Sequence, residues 1–378
     1  TTMSKTFKPA FEIYGANGSP YSCKMRSYMR YKQIPFLWEK MQTIQGKSER
    51  DATGWPKIFS HIKGKVIPVM KFPDGTYMND STFLIEEIEK QGYNSHRVAL
   101  PEDPQMSFLS YLIEDFGDEW ITKCMYGYRW NKNRDARWSS DLLSIDGTSS
   151  LNKEPARQKM ADFIQDKQTG RTAIVGCNQE TIEKTMDSVC SIMEGYFNGN
   201  TTRHGLLGHA LTPADFAFYG QMSQWQVDLE IAEQLPTKYQ KVWAWIWRMD
   251  DMSFVPNTDQ ANAWFDIYNG NAPEHIKSLL RLIGDVYLPF LMANAKALQE
   301  GAESFTVNIF NGSITHTQRP FPYQGKCLNW LVEKYESIPN SPKKAQFDAL
   351  LQETGCLTYF TQLASKVNNK RKLVQSKI

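Results

Sequence analysis

The stretch KVIPVMKFPDGTYMND, residues 65–80, constrains the fold more than any other. Two short apolar runs flank Asp74-Gly75, and an Asp-Gly pair in that setting is the strongest short-range signal for an antiparallel hairpin. Upstream, FEIY at 11–14 reads as a strand, the turn GANGSP follows, and a helical pattern starts at about Tyr21 with Met25, Tyr28 and Met29 on one face. The Ile34-Pro35 break then leads into PFLWEKMQ, a second strand. Downstream, NDSTFLIEEIEKQG reads as a helix with Phe83, Leu84, Ile85 and Ile88 apolar and Gly92 placed to end it. A hairpin bracketed in this way implies a β-α-β unit followed by β-β-α.

From Asp103 the pattern becomes helical almost without interruption. Asp103 and Pro104 form a cap and first turn, and Phe108, Leu112, Phe116, Trp120 and Met125 continue a stripe toward Trp130. Residues 131–153, rich in Asn, Arg, Ser and Asp, are expected as a loop or mobile cover. Asn178 caps a helix carrying Ile182, Met186, Val189, Met193 and Phe197. In LTPADFAFYGQMSQW, Thr212, Pro213 and Asp215 have the spacing of a capping box, which serves folding rather than chemistry. KVWAWIWRMDDM alternates tryptophans, yet Val242, Trp245, Ile246 and Met249 fit a helix better. Residues 274–299 read as one long helix kinked at Pro289, and SFTVNIFNGSITHTQRP as a hairpin about Asn311-Gly312. Two more helices, near 323–337 and 342–353, precede a basic terminus, KVNNKRKLVQSKI, expected as a solvated tail.

Composition narrows the function class. Lys and Arg total 43 against 41 Asp and Glu, so no bulk field favours nucleic acid as a partner. No stretch is apolar enough for a membrane span, no secretory leader is evident, and a cytoplasmic location is the expectation. Cys23, Cys124, Cys177, Cys190, Cys327 and Cys356 are scattered without metal-ligand spacing, which argues against both zinc and a disulfide framework.

SPYSCKMR, the Ile67-Pro68 step, Asn79-Asp80-Ser81 opening a helix, and LTPAD heading another occur in the order and spacing that resemble the cytosolic glutathione S-transferase family. The resemblance covers about residues 11–255; with EDFGDEW, YRW and the segment beyond, the chain is similar to a long bacterial-type member. It implies an α/β thioredoxin-like N-terminal domain over 1–94 that binds glutathione. An all-α C-terminal domain over 95–260 would form a second-substrate pocket, and a helical extension over 261–378 carries the hairpin near 303–319. The implied activity is that of a glutathione transferase, a detoxification enzyme whose co-substrate glutathione attacks a hydrophobic electrophilic small molecule. No metal is implied, and a homodimer is expected.

The same resemblance assigns roles. Ser19 would stabilise the thiolate, with Tyr21, Ser22 and Cys23 as alternatives. Ile67 and Pro68 would pair with the cysteinyl segment, while Asp80 and Ser81 would meet the γ-glutamyl ammonium and carboxylate. Lys65 would meet the glycyl carboxylate. Tyr21, Trp120, Tyr126, Tyr128, Arg129 and Trp130 would wall the second-substrate pocket.

Physical chemistry makes the thiolate role feasible, beside the alternative that Ser19 simply caps the helix. A thiol with a pKa near 8.5 is only a few per cent ionised at neutral pH, and lowering that value by two units takes about 2.7 kcal/mol of preferential anion stabilisation. A helix N-terminus bearing a serine hydroxyl supplies amides, a positive dipole end and one hydrogen-bond donor. Ser19 and Ser22 also stand where a dithiol protein would carry its two cysteines, and serine forms no disulfide. Two other classes of function compete: a non-catalytic binding or regulatory module on the same fold, and glutathione-dependent thiol-disulfide exchange through Cys23.

Overall fold

The computed structural model describes residues 11–40, 58–64, 66–147, 154–198, 204–255 and 264–361. Strand β1 (Phe11–Gly15) alternates buried Phe11, Ile13 and Gly15 with half-buried Glu12 and Tyr14, the period-two pattern of a strand with one face in a core. It pairs in parallel with β2 (Phe36–Lys40) through helix α1 (Pro20–Tyr31). It pairs antiparallel with β3 (Val69–Lys71), which turns at Asp74-Gly75 into β4 (Tyr77–Asn79). The strand order is β2-β1-β3-β4. Gly75 holds φ at 89°, a value glycine adopts without steric cost. Helix α2 (Ser81–Lys90) closes this thioredoxin-like unit with Leu84, Ile85 and Ile88 buried. The last two residues of the expected second strand, Met41 and Gln42, lie outside the described residues.

The remainder is mostly helical. Asp103 accepts the Gln105 and Met106 amides at 3.2 and 3.0 Å and opens α3 (Pro104–Phe116). A π-helical segment, Gly117–Ile121, carries the chain into α4 (Thr122–Trp130). The stretch expected as a loop is instead a helix, α5 (Asn133–Gly147), packed on α6 (Glu154–Thr169). Its polar composition concealed it because the inward face is built from Asp135, Ala136, Ser139, Ser140 and Ser144, all buried. Small side chains let helices approach closely without contributing an apolar stripe. Helices α7 (Gln179–Phe197), α8 (Pro213–Met222), α9 (Leu229–Lys238) and α10 (Gln240–Met249) follow. Buried Asp215 accepts the Thr212 amide and hydroxyl at 2.7 and 3.0 Å, so this pair serves folding.

In the C-terminal segment, α11 (Glu274–Leu282) and α12 (Leu288–Glu300) are joined by a π-helical turn, Ile283–Tyr287. The single helix expected over 274–299 is thus interrupted by a π-helical turn that ends two residues before Pro289. That places Pro289 in the first turn of α12, where a missing amide costs no hydrogen bond. The hairpin β5 (Phe305–Ile309) and β6 (Ile314–Gln318) forms as expected, with Asn311 and Gly312 at φ 53° and 81°. Helices α13 (Pro322–Glu336) and α14 (Pro342–Glu353) complete it. The basic terminus lies outside the described residues, among which no helix is long and apolar enough to cross a membrane.

The π-helical segment concentrates charge where α1, α3 and α13 meet. Glu114, Asp115, Asp118 and Glu119 are all buried. Lys24, also buried, bridges Glu114 and Asp118 at 2.6 Å each. Burial alone would lower the Lys24 pKa, but these two carboxylates outweigh it and hold the ammonium charged. Asp115 accepts the Tyr287 hydroxyl at 2.6 Å, and burial pushes its carboxyl up to about 7. Burial, reinforced by Asp115 and Asp118, pushes Glu119 up to about 8.

Those two shifts make stability depend on pH. A carboxyl whose pKa is raised on folding keeps its proton longer in the native state, so its contribution is fully present below the unfolded value and is lost as pH rises through the folded one. His204 and His316, both held below their ordinary value by burial, act in the opposite sense, but only below about pH 6.5. Lys123, which faces Glu119 and is pushed down to about 8 by burial, opposes the two carboxyls as the pH nears 8. Between pH 6.5 and 7.5 stability is therefore expected to fall by up to about 1.4 kcal/mol per pH unit for each carboxyl, and the melting temperature with it. Thermal melts across that window check this; Glu119→Gln should flatten the slope, and a wild-type curve that rises would contradict it.

Candidate functional site

The loop 16–19 between β1 and α1 forms one wall. Ser19 is the N-cap of α1, with extended backbone (φ −103°, ψ 116°), and its Oγ accepts the Ser22 amide at 3.3 Å. Pro20 at the first helical position has no amide to satisfy, and among the described residues the Tyr21 amide has no partner. The helix therefore presents an open amide and a half-buried hydroxyl whose own hydrogen no described acceptor takes. Gly220 of α8 brings the helical layer against this turn: a Cβ there would lie 2.6 Å from the Pro20 carbonyl oxygen.

Two of the rival groups are bonded elsewhere, and the third, Ser22, is buried with its hydroxyl unpartnered. The Tyr21 hydroxyl donates to the Asp118 carbonyl at 2.9 Å, and burial raises its pKa well above the ordinary value. Ser22 is buried against Gly15, where a Cβ would stand 2.9 Å from its Oγ. Cys23 is buried, its thiol donating to the Asn17 carbonyl at 3.3 Å. Burial pushes that thiol up, against the opposing pull of the Arg26 guanidinium. Arg26 itself joins Asn17 and Asp250 at 2.8 and 2.9 Å, a holding role.

Two further elements face the same region. The Ile67-Pro68 bond is cis, immediately before β3, and no described residue pairs with the Ile67 backbone amide or carbonyl. Asp80 caps α2, its Oδ1 accepting the Thr82 amide at 3.3 Å, and Ser81 is buried at the first helical position. Asp80 holds φ at 78° and ψ at 109°, a sparsely populated conformation for a residue with a side chain and one that clusters at functional sites. Lys65 lies outside the described residues.

The residues expected to wall a second pocket are mostly interior. Trp120 is fully buried, its indole donating to Thr185 at 3.2 Å and its ring edge-on to Phe290. Tyr128 and Trp130 are buried in the helical core. Arg129 is buried too, bonding Asp228 at 2.8 and 3.0 Å and the Gly18 carbonyl at 2.9 Å, so it holds the 16–19 loop rather than lining a cavity. Tyr126 is half-buried and donates to the Gln168 carbonyl at 2.9 Å. Of these residues, Tyr126 alone keeps partial exposure; the others pack against the interior.

Helix α5 takes the place beside the loop. A Cβ at Gly18 would lie 2.0 Å from Leu143 Cδ2, so Leu143 sits directly on the residue preceding Ser19. On the same helix Trp138, Leu142 and Ile145 are exposed. Their i, i+4, i+7 spacing was the available signal, set within a stretch too polar to be read as a helix.

Residues 18–91 match the family model described as glutathione S-transferase, N-terminal domain. This segment is a glutathione S-transferase N-terminal domain. It takes in the Ser19 cap, the cis Pro68 step and the Asp80-Ser81 helix start. No curated protein matches the chain. Among solved structures, the chain is similar to a glutathione S-transferase from Methylobacterium radiotolerans in complex with glutathione sulfonate (17% identity, 66% of this chain, 96% of that one, TM-score 0.37). It is also similar to a beta-etherase from Sphingobium (15%, 71%, 98%, 0.42) and to glutaredoxin 2 from Salmonella typhimurium in complex with glutathione (12%, 66%, 97%, 0.37). Identities this low carry no residue role across, so the roles proposed below rest on the geometry of the transferase domain.

Proposed function

We propose that the protein binds glutathione across the N-terminus of α1, the Ile67 backbone and the N-terminus of α2, and that Ser19 stabilises its thiolate for attack on an electrophile. The observation that carries this is the state of Ser19: a helix-capping hydroxyl with its hydrogen uncommitted, beside an open amide, while Tyr21, Ser22 and Cys23 are each enclosed or spent. The free Ile67 backbone suits strand-like pairing with the cysteinyl segment, and the α2 terminus suits the γ-glutamyl carboxylate through Ser81 and the ammonium through Asp80.

In the reaction the glutathione thiol releases its proton to solvent, the thiolate forms a carbon–sulfur bond, and the leaving group departs with the electron pair. Leu143, seated on Gly18 beside Ser19, offers apolar surface for the second substrate. Thiol-disulfide exchange is the weaker reading, because Cys23 is buried with its pKa raised. Titration calorimetry with glutathione, followed by turnover of an activated aryl halide, tests the proposal. Binding with glutathione-dependent release of halide is the expected result; no heat of binding contradicts it.

A further inference from the structure

Among the described residues, the C-terminal segment reaches the site through Tyr323. Tyr323, in the first turn of α13, donates its hydroxyl to Asp80 Oδ2 at 2.7 Å, across 243 positions of sequence. The contact is the first of a row. Tyr323 stands edge-on to Trp330 at 5.8 Å, Trp330 edge-on to Phe83 at 5.2 Å, and Lys334 pairs with Glu86 at 2.7 Å. Residue numbers rise together along the two helices, so α13 runs beside α2 in the same direction and both N-termini meet at the Asp80 carboxylate. Gln324 adds a bond to the Glu119 carbonyl at 3.5 Å.

The same corner holds an incomplete hydrogen-bond inventory. Asp118 Oδ1 is buried with no partner, while its Oδ2 takes Lys24 and lies 3.5 Å from the Thr82 hydroxyl. Asp80 has one oxygen on the Thr82 amide and the other on Tyr323, yet each carboxylate oxygen can accept twice. The first turn of α2 is thus faced by carboxylates with acceptor capacity left over, which suits a ligand's ammonium.

We infer that Tyr323 is a positioning residue for ligand binding: it fixes the Asp80 carboxylate that receives the γ-glutamyl ammonium, so the extension forms part of the glutathione site. This rests on the reading of the site proposed above. A carboxylate held by both a helix amide and a phenol is ordered before the ligand arrives; without the phenol, that ordering falls to the ligand.

Calorimetry on the full chain with two probes, glutathione and its analogue lacking the α-amino group, tests the inference. Tyr323→Phe should weaken glutathione binding about fivefold, leave KM for the electrophile unchanged, and leave binding of the deaminated analogue unchanged. In an Asp80→Asn background the Tyr323→Phe effect should vanish, which keeps the test sharp if any one variant folds poorly. Equal losses for both probes, or no loss for glutathione, overturn the inference alone. Wild-type protein that binds no glutathione overturns the reading of the site as well.

Discussion

Ser19→Ala is expected to lower glutathione-dependent turnover by about a hundredfold while glutathione still binds. The size follows from removing one preorganised donor to a developing or resting anion, which costs about 10²–10³ in rate at comparable sites. The residue has a second duty that must be separated from the first, since it caps α1 through the 3.3 Å bond to the Ser22 amide. Loss of such a cap to alanine costs about 1 kcal/mol, and to glycine only a few tenths. Ser19→Gly should accordingly recover most of the stability and none of the rate, whereas Ser19→Thr should recover part of both. Steady-state kinetics beside thermal melts distinguish these outcomes. Cys23→Ala is the control, expected to leave the rate constant unchanged because its thiol is buried and bonded to the Asn17 carbonyl.

The largest expected effect on stability comes from Lys24→Met. Removing the ammonium leaves Glu114 and Asp118 buried without the cation that both approach at 2.6 Å. Breaking a buried pair from one side costs about 3–5 kcal/mol, a large share of the 5–15 kcal/mol typical of a folded domain. The penalty arises from uncompensated charge rather than from lost attraction. Lys24→Met combined with Glu114→Gln and Asp118→Asn should therefore regain much of it. Urea unfolding measures both variants. A single variant within about 1 kcal/mol of the parent would mean that Lys24 does not neutralise this cluster.

The N-terminal unit was largely legible because its signals are local. The Asp74-Gly75 turn, the Ser19-Pro20 cap and the Asp80-Ser81 helix start each declare their geometry within a few residues. Helix α5 was hidden because Ala136, Ser139, Ser140 and Ser144 supply a buried face without apolar periodicity. Nothing near Lys24 in sequence marks it as buried, because its partners Thr82, Glu114 and Asp118 lie 58, 90 and 94 positions away. Tyr323 carried no signal at all, since its role depends on α13 lying beside α2. Trp120, Tyr128 and Trp130 show the limit of composition, since sequence does not say whether an aromatic residue lines a pocket or, as here, is buried in the interior.

The central claim is that glutathione bound here is ionised against Ser19. Ultraviolet absorbance of the thiolate, followed against pH in the glutathione-saturated protein, tests it most directly. The account predicts an ionisation midpoint about two units below the free thiol's value near 8.5, returning toward that value in Ser19→Ala. A midpoint equal to that of free glutathione in the wild-type protein would contradict it.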